Sequence, residues 1–208
     1  QNHDQVGNRA FGERLGSLVS AEKLRAVASV YLLSPQIPML FMGEEWNARQ
    51  PFQFFCDFQG ELADAVRRGR REEFKRFPQF ADPHMRELIP DPQAGSTFLD
   101  SKLQWDDCKL PTHADWLRWY QRALSARRTW IVPLLEHIGS GGTVHALGRN
   151  ALSISWAVRG GQRLRLAANL SDTAQEIPVD RGQVCWHEGA VPAGNALAPW
   201  TARWTLDD

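Results

Sequence analysis

The sequence has no excess of either charge. Among its 208 residues, 24 Lys and Arg balance 24 Asp and Glu. Proteins that bind nucleic acid or anionic membranes by charge usually carry a basic excess that neutralises phosphates, so we expect neither a nucleic-acid nor a membrane partner. The basic run 67–71 lies beside acidic residues and indicates a solvated helix face. Hydrophobic residues make up 43% of the chain, which is enough for a packed core.

Long apolar runs and clustered cysteines are also lacking. A membrane helix needs roughly 18 or more apolar residues in succession, whereas the best run, 37–42, contains Pro38 and stops at Gly43. The few cysteines predict neither a disulfide framework nor a metal site, and they fit a reducing compartment. We therefore predict a cytoplasmic protein without a metal or any other cofactor. The cysteines are Cys56, Cys108 and Cys185.

The first half of the chain has helical and α/β patterns. Residues 1–15 are polar and contain glycine, which predicts a loop. Ser20 then caps a helix whose apolar residues recur at helical spacing and which ends before Pro35. The short apolar run 39–42 predicts a buried parallel strand. The proline-rich stretch within 51–113 predicts a long irregular insertion.

From about residue 137 the hydrophobic period changes from helical to alternating. Runs such as 152–158 and 164–170 alternate with period two, and glycine-rich turns separate them. Several short strands of this kind predict an antiparallel β-sandwich. We therefore expect two domains, one over residues 1–134 and a second over residues 135–208.

The opening run Asn2-His3-Asp4-Gln5 carries the densest set of hydrogen-bonding side chains. A carboxylate can accept hydrogen bonds from two vicinal sugar hydroxyls, and an imidazole can donate one. The same residues are equally compatible with a polar loop that contains an Asx-type turn at Asp4. The chain also begins at Gln1, without a Met or a signal peptide, which suggests a piece of a longer polypeptide.

A second polar motif, Glu44-Glu45-Trp46, follows the apolar run 39–42. Ligands bind at the carboxyl ends of parallel strands, and only one helix separates the two motifs, so we expect them to lie on the same face of a β/α array. The glutamates could instead form ordinary ion pairs, and Trp46 could be part of the core. Aromatic rings at Trp46, Phe52 and Phe54 could stack on glucose.

Together these residues resemble the C-terminal part of the α-amylase superfamily, glycoside hydrolase family 13. Asn2-His3-Asp4 resembles the family's fourth conserved region, at the end of the seventh barrel strand. Residues 38–45 resemble the eighth strand and the loop that follows it. The runs that are similar to a trehalose-releasing subfamily are 2–9, 43–46, 51–55, 71–74, 90–93 and 101–105.

The resemblance implies the last strands and helices of a (β/α)8 TIM barrel followed by a C-terminal antiparallel β-sandwich. It also implies retaining hydrolysis of the α-1,4 bond next to the trehalose end of maltooligosyl trehalose, with a nucleophile and a general acid about 5–5.5 Å apart. Asp4 matches the family's third carboxylate, which stabilises the transition state, and His3 matches a histidine that donates to a sugar hydroxyl. The expected substrate-binding residues are Asn2, Gln5, Glu44, Glu45, Trp46, Phe52 and Phe54.

The family's nucleophile and general acid lie on strands upstream of Gln1. We therefore expect the chain to need the N-terminal part of the same polypeptide as its partner, and to be inactive on an α-glucan or on maltooligosyl trehalose by itself. Two other interpretations stay open. The chain could come from a glycogen-branching or other α-amylase-family enzyme. It could also be a non-catalytic glycan-binding module built on tryptophans of residues 135–208, although period two places Trp156 in the core.

Overall fold

A computed structural model describes residues 1–139, 141–177, 182–191 and 196–207. The chain divides into two compact units. The first unit contains Gln1–Leu18 and Met39–Leu117, and the second contains Val19–Pro38 and Arg118–Asp208. This grouping differs from the division predicted at residues 134 and 135, because residues 19–38 and 118–134 belong to the second unit. A grouping by contacts does not test where sequence domains begin and end, so the domains 1–134 and 135–208 stay a prediction.

The first unit is built from short helices and irregular segments. Its longest complete helix, α4, buries Ala63, Arg70 and Phe74 and exposes most of its charged side chains. The helices are α1 (His3–Gly7), α2 (Leu15–Leu18), α4 (Gly60–Phe74), α5 (Pro83–Glu87), α6 (Gly95–Asp100) and the first residues of α7 (Pro111–Ala126). Short 3-10 helices span Glu44–Trp46, Pro78–Phe80 and Trp105–Lys109.

Two local predictions in the first unit were wrong. The predicted loop over residues 1–15 contains α1, because the side chains of Asn2 and Gln5 form a capping box at its start. The predicted strand at 39–42 is not a strand, and three of its four side chains are exposed, Met39 by 67%. A strand forms only where a neighbouring strand binds its N–H and C=O groups, and every strand pair within the described residues is antiparallel and lies further along the chain.

The second unit contains an antiparallel five-stranded sheet in the order β1-β2-β3-β7-β5. This confirms the antiparallel strands that the alternating runs predict. A separate pair, β4 and β6, forms a two-stranded sheet. The strands are β1 (Thr143–Gly148), β2 (Ala151–Ala157), β3 (Arg163–Asn169), β4 (Gln175–Glu176), β5 (Gln183–Glu188), β6 (Ala196–Leu197) and β7 (Thr201–Asp207).

One face of the five-stranded sheet packs on helices rather than on a second sheet. Trp156 and Trp204 stack 5.5 Å apart in a core that also contains Leu33 and Ile131. Helix α3 (Ala21–Leu33) begins at the predicted cap Ser20 and supplies Leu33. The Trp204 indole N–H donates to the Ser29 carbonyl on α3 at 3.1 Å. On this face the apolar stripe of α3 and the π- and 3-10-helical turns Arg127–Ile131 and Val132–Leu134 stand where a sandwich would have its second sheet. The antiparallel C-terminal β domain is confirmed, and its arrangement as a sandwich stays a prediction.

None of the described helices is long and apolar enough to cross a membrane.

Candidate functional site

The predicted catalytic residues, His3 and Asp4, lie on helix α1 and are exposed. The His3 Nε2 and Asp4 Oδ1 atoms lie 3.3 Å apart, and both side chains are 70% exposed. The Asn2 side chain accepts from the Gln5 backbone N–H at 2.8 Å, and the Gln5 side chain accepts from the Asn2 N–H at 3.1 Å. The capping box therefore uses Asn2 and Gln5 to start the helix, and His3 and Asp4 are left free to meet a ligand.

The second motif contacts the first through Glu44. Its carboxylate is buried and accepts from the Phe41 N–H at 3.0 Å, and it lies 3.3 Å from the backbone nitrogen of Gln1. Glu44 therefore links the loop around residues 41–46 to the residue before Asn2. The two motifs lie together, as the sequence predicts, while Glu45 is half-buried.

The three aromatic side chains predicted to contact sugar differ in how accessible their rings are. Trp46 is only 3% exposed, and its carbonyl accepts from His113 Nδ1 at 2.7 Å. No sugar ring can reach its face. Phe52 is half-buried and packs edge-on against Phe41 at 5.0 Å. Phe54 is partly exposed, but the guanidinium of Arg70 lies 5.1 Å from its ring centroid.

An aromatic groove of about 720 Å³ lies beside these residues in the first unit. Its lining includes Phe52, Phe55, Phe98 and Trp105. Trp105 is 68% exposed and packs 5.3 Å from Trp46. Flat aromatic surface of this kind suits the apolar face of a sugar ring. The sequence singled out Trp105 only as part of a subfamily run and gave no signal of its exposure.

A buried arginine supports the end of α1. Arg70 donates through Nη2 to the carbonyls of Gly7 and Arg9, both at 2.7 Å. Burial lowers the pKa of its guanidinium, and the carboxylate of Glu73, 3.3 Å away, opposes that shift. The carbonyls at the end of a helix carry partial negative charge, so a cation there stabilises the helix. The basic run 67–71 is therefore not a uniformly solvated face, because Arg70 points inward.

A second buried arginine supports the loop of the second motif. Arg14 donates through Nε to the Gln50 carbonyl at 2.6 Å and through Nη1 to the Met42 carbonyl at 2.7 Å. Burial lowers the pKa of this guanidinium, while the nearby carboxylates of Glu44 and Glu45 raise it. Both motif loops are thus held by a guanidinium bound to backbone carbonyls. A sequence does not reveal which of its arginines is buried.

A family model described as a domain of unknown function, DUF3459, matches residues 139–204. The whole chain superposes on part of a Salmonella typhimurium protein whose crystal structure is described as that of a candidate α-amylase. The TM-score is 0.89 and the sequence identity is 39%, and the match covers 34% of that protein. The fold of this chain is therefore similar to that of an α-amylase-family protein.

The curated relatives carry a more specific name. The malto-oligosyltrehalose trehalohydrolase of Deinococcus radiodurans is 48% identical over 130 residues, which is 62% of this chain and 21% of that protein. The trehalohydrolase of Brevibacterium helvolum is 37% identical over 207 residues, which is 97% of this chain and 33% of that protein. The chain is homologous to malto-oligosyltrehalose trehalohydrolases, which confirms the predicted resemblance, and it spans about a third or less of the relatives it matches.

Proposed function

We propose that this chain is part of a retaining glycosidase that cleaves the α-1,4 bond next to the trehalose end of maltooligosyl trehalose and releases trehalose. The observation that carries the proposal is the exposed His3–Asp4 pair, 3.3 Å apart on a capped helix. It occurs in a chain homologous to proteins named for that reaction. An α-glucan is accordingly the proposed substrate class.

Asp4 is the proposed transition-state stabiliser and His3 its neighbour on the sugar. An oxocarbenium-like transition state carries positive charge on the ring, and hydrogen bonds to ring hydroxyls strengthen as it forms. Contacts that strengthen in the transition state raise the rate rather than only the affinity. An exposed carboxylate and imidazole on one helical turn have the chemistry for this role.

The other predicted site residues divide into supporting and contacting groups. Asn2, Gln5 and Glu44 hold the backbone around Asp4 through the hydrogen bonds described above. Trp46 packs beneath the groove, since its ring is buried. The proposed contacts to sugar are Glu45, Phe52, Phe54 and Trp105.

The barrel and the partner belong to the same proposal. Residues 1–134 are proposed to complete a (β/α)8 barrel whose upstream strands supply the nucleophile and the general acid. The 208-residue chain is therefore expected to be inactive alone, and the complete protein to work in the cytoplasm. The high TM-score to one third of a much longer protein supports this context.

The alternative functions have less support. The names of the curated relatives favour hydrolysis over chain transfer by a branching enzyme. A glycan-binding surface on the second unit would need exposed tryptophans, whereas Trp156 and Trp204 are buried in its core. The other two tryptophans of residues 135–208 are partly buried and have partners, because the Trp186 indole donates to Ser29 Oγ and the Trp200 indole to Asp172.

The test uses a chimera in which the chain replaces the aligned third of the Brevibacterium helvolum trehalohydrolase. The chimera should release trehalose from maltooligosyl trehalose, and the isolated chain should not. Asp4→Asn in the chimera should lower kcat by about 100-fold or more, as expected when a group that stabilises transition-state charge is lost. Asp100→Asn, at an exposed aspartate on α6, is the matched control and should leave kcat unchanged.

Three results would contradict the proposal. One is a folded chimera that transfers glucan chains without hydrolysis. Another is trehalose release by the isolated chain. The third is an Asp4→Asn variant as active as the Asp100→Asn control.

A further inference from the structure

The face of the five-stranded sheet opposite Trp204 carries a row of polar side chains. Across the strands, His145 on β1 lies opposite Ser153 on β2, and Ser153 lies opposite Ala167 on β3. Ala167 in turn lies opposite Arg203 on β7. Residues two positions apart on a strand share a face, so the next positions belong to the same surface. These are Ser155, Arg163 and Arg165.

A small concavity opens on this face. It has a volume of about 210 Å³ and is lined by the polar residues just named together with four apolar ones, Ile154, Leu166, Ala167 and Ile177. At about 30 Å³ per water, it has room for about seven water molecules. Pockets for drug-sized molecules measure about 300–1,000 Å³, so its size fits a small ion or group.

The charges around the concavity do not balance. Arg165 Nη2 lies 2.8 Å from Asp207 Oδ2, and this ion pair occupies one guanidinium. Arg163 and Arg203 form no ion pair or hydrogen bond through their side chains within the described ranges. Two positive charges therefore face the concavity without a counterion among the described residues.

The polar part of the lining offers mainly hydrogen-bond donors. Guanidinium groups can only donate, and serine hydroxyls can donate as well as accept. A ligand with several acceptor oxygens and negative charge complements such a lining, and the planar fork of arginine matches phosphate in a bidentate arrangement. A protein partner is less suited, because a stable interface buries about 800 Å² on each side, whereas this site is a small hollow.

We propose that this concavity binds a small tetrahedral oxyanion, namely phosphate or the phosphoryl group of a phosphate monoester. Arg163, Arg165 and Arg203 supply the charge, and Ser153 and Ser155 supply further donors. The site lies entirely within the second unit, and it does not depend on the activity proposed for His3 and Asp4.

The test is calorimetric titration of inorganic phosphate into the 208-residue chain at low ionic strength. Saturable binding is expected, with a Kd raised about tenfold by Arg203→Gln and again by Arg163→Gln, a change of about 1.4 kcal/mol each. Neither arginine has an ion-pair partner among the residues that the structure describes, so the variants should melt at the wild-type temperature. The matched control is Arg159→Gln, an exposed arginine in the turn after β2 that does not line the site.

A second arm distinguishes the two sources of the phosphoryl group. Tighter binding of glucose 6-phosphate than of inorganic phosphate, with no binding of glucose, would identify a phosphate monoester. Equal binding would identify the free ion. Ser153→Ala, which removes only a hydroxyl, should weaken binding even if an arginine variant unfolds. Absence of saturable binding overturns the proposal, as does equal affinity in the Arg203→Gln, Ser153→Ala and Arg159→Gln variants.

Discussion

The two units satisfy the hydrogen bonds of their backbone groups in different ways. In the second unit, antiparallel pairing satisfies most backbone groups of the sheet, and the buried tryptophans Trp156 and Trp204 fill its core. In the first unit, long segments lack regular pairing, and side chains such as Arg14 and Arg70 bind the free carbonyls. A loop that presents functional residues cannot use a sheet's hydrogen bonds, so it needs polar anchors.

The second unit uses the same anchor where its own backbone leaves regular structure. Arg127 donates to the carbonyls of Leu32 and Ser34 and, through Nη2, to that of Gln36 at 2.9 Å. These carbonyls lie at the end of α3 and just beyond it. Burial lowers the pKa of Arg127. Buried arginines therefore bind backbone carbonyls in both units, wherever the backbone leaves regular secondary structure.

The largest effect is expected from the apolar core of the second unit. Trp204→Ala removes a fully buried ring that stacks on Trp156 and donates to Ser29. Truncation of this kind costs about 3–5 kcal/mol in free energy of unfolding. Hydrogen exchange of the β3 and β7 amides should accelerate accordingly, while Trp105→Ala at an exposed tryptophan should leave those amides unchanged. Equal effects of the two substitutions would show that the stacked pair is not the centre of the core.

A smaller effect is expected from the anchor of the first unit. Arg70→Met keeps an unbranched side chain but leaves the Gly7 and Arg9 carbonyls without their charged donor, which should destabilise the first unit by about 2–4 kcal/mol. Exchange of the Asn8 amide, which donates to the Asp4 carbonyl, reports this loss directly. Arg68→Met on the exposed side of the same helix is the control. If the two variants exchange alike at Asn8, the guanidinium does not support α1.

The same contrast explains what the sequence could predict. Alternation over residues 152–158 and 164–170 located β2 and β3 to within a residue and put Trp156 in the core, because period two is a local property of a strand. The Ser20 cap was equally local. The run 39–42 failed because a strand also needs a neighbour. Arg70 was missed because it is one of four arginines in the run 67–71 of a charged helix, and only the tertiary fold turns it inward.

The smallest expected effect concerns Asp91, a partly exposed carboxylate of the first unit, and it is seen as a change of stability with pH. Asp91 accepts from the Gln93 N–H at 3.0 Å and from Arg67 Nε at 2.8 Å. Partial burial raises the pKa of Asp91, but these hydrogen bonds outweigh it and hold the pKa below its ordinary value of 3.8. A carboxyl group whose pKa is lower in the folded state stabilises the fold fully above its unfolded pKa, and this contribution disappears as pH falls through the folded pKa.

The first unit should therefore lose stability below pH 3.8, by about 0.5 kcal/mol for an ion pair this accessible to solvent. Asp91→Asn keeps the acceptor for Gln93 but removes the titration, so the melting temperature of the variant should fall less steeply with acid. Asp64→Asn removes another carboxylate that pairs with Arg67, yet it retains Asp91 and should keep the acid-dependent loss. If the melting temperature of Asp91→Asn falls with acid as steeply as that of the wild type, Asp91 does not stabilise the first unit. The buried arginines would then be the side chains that hold its irregular backbone.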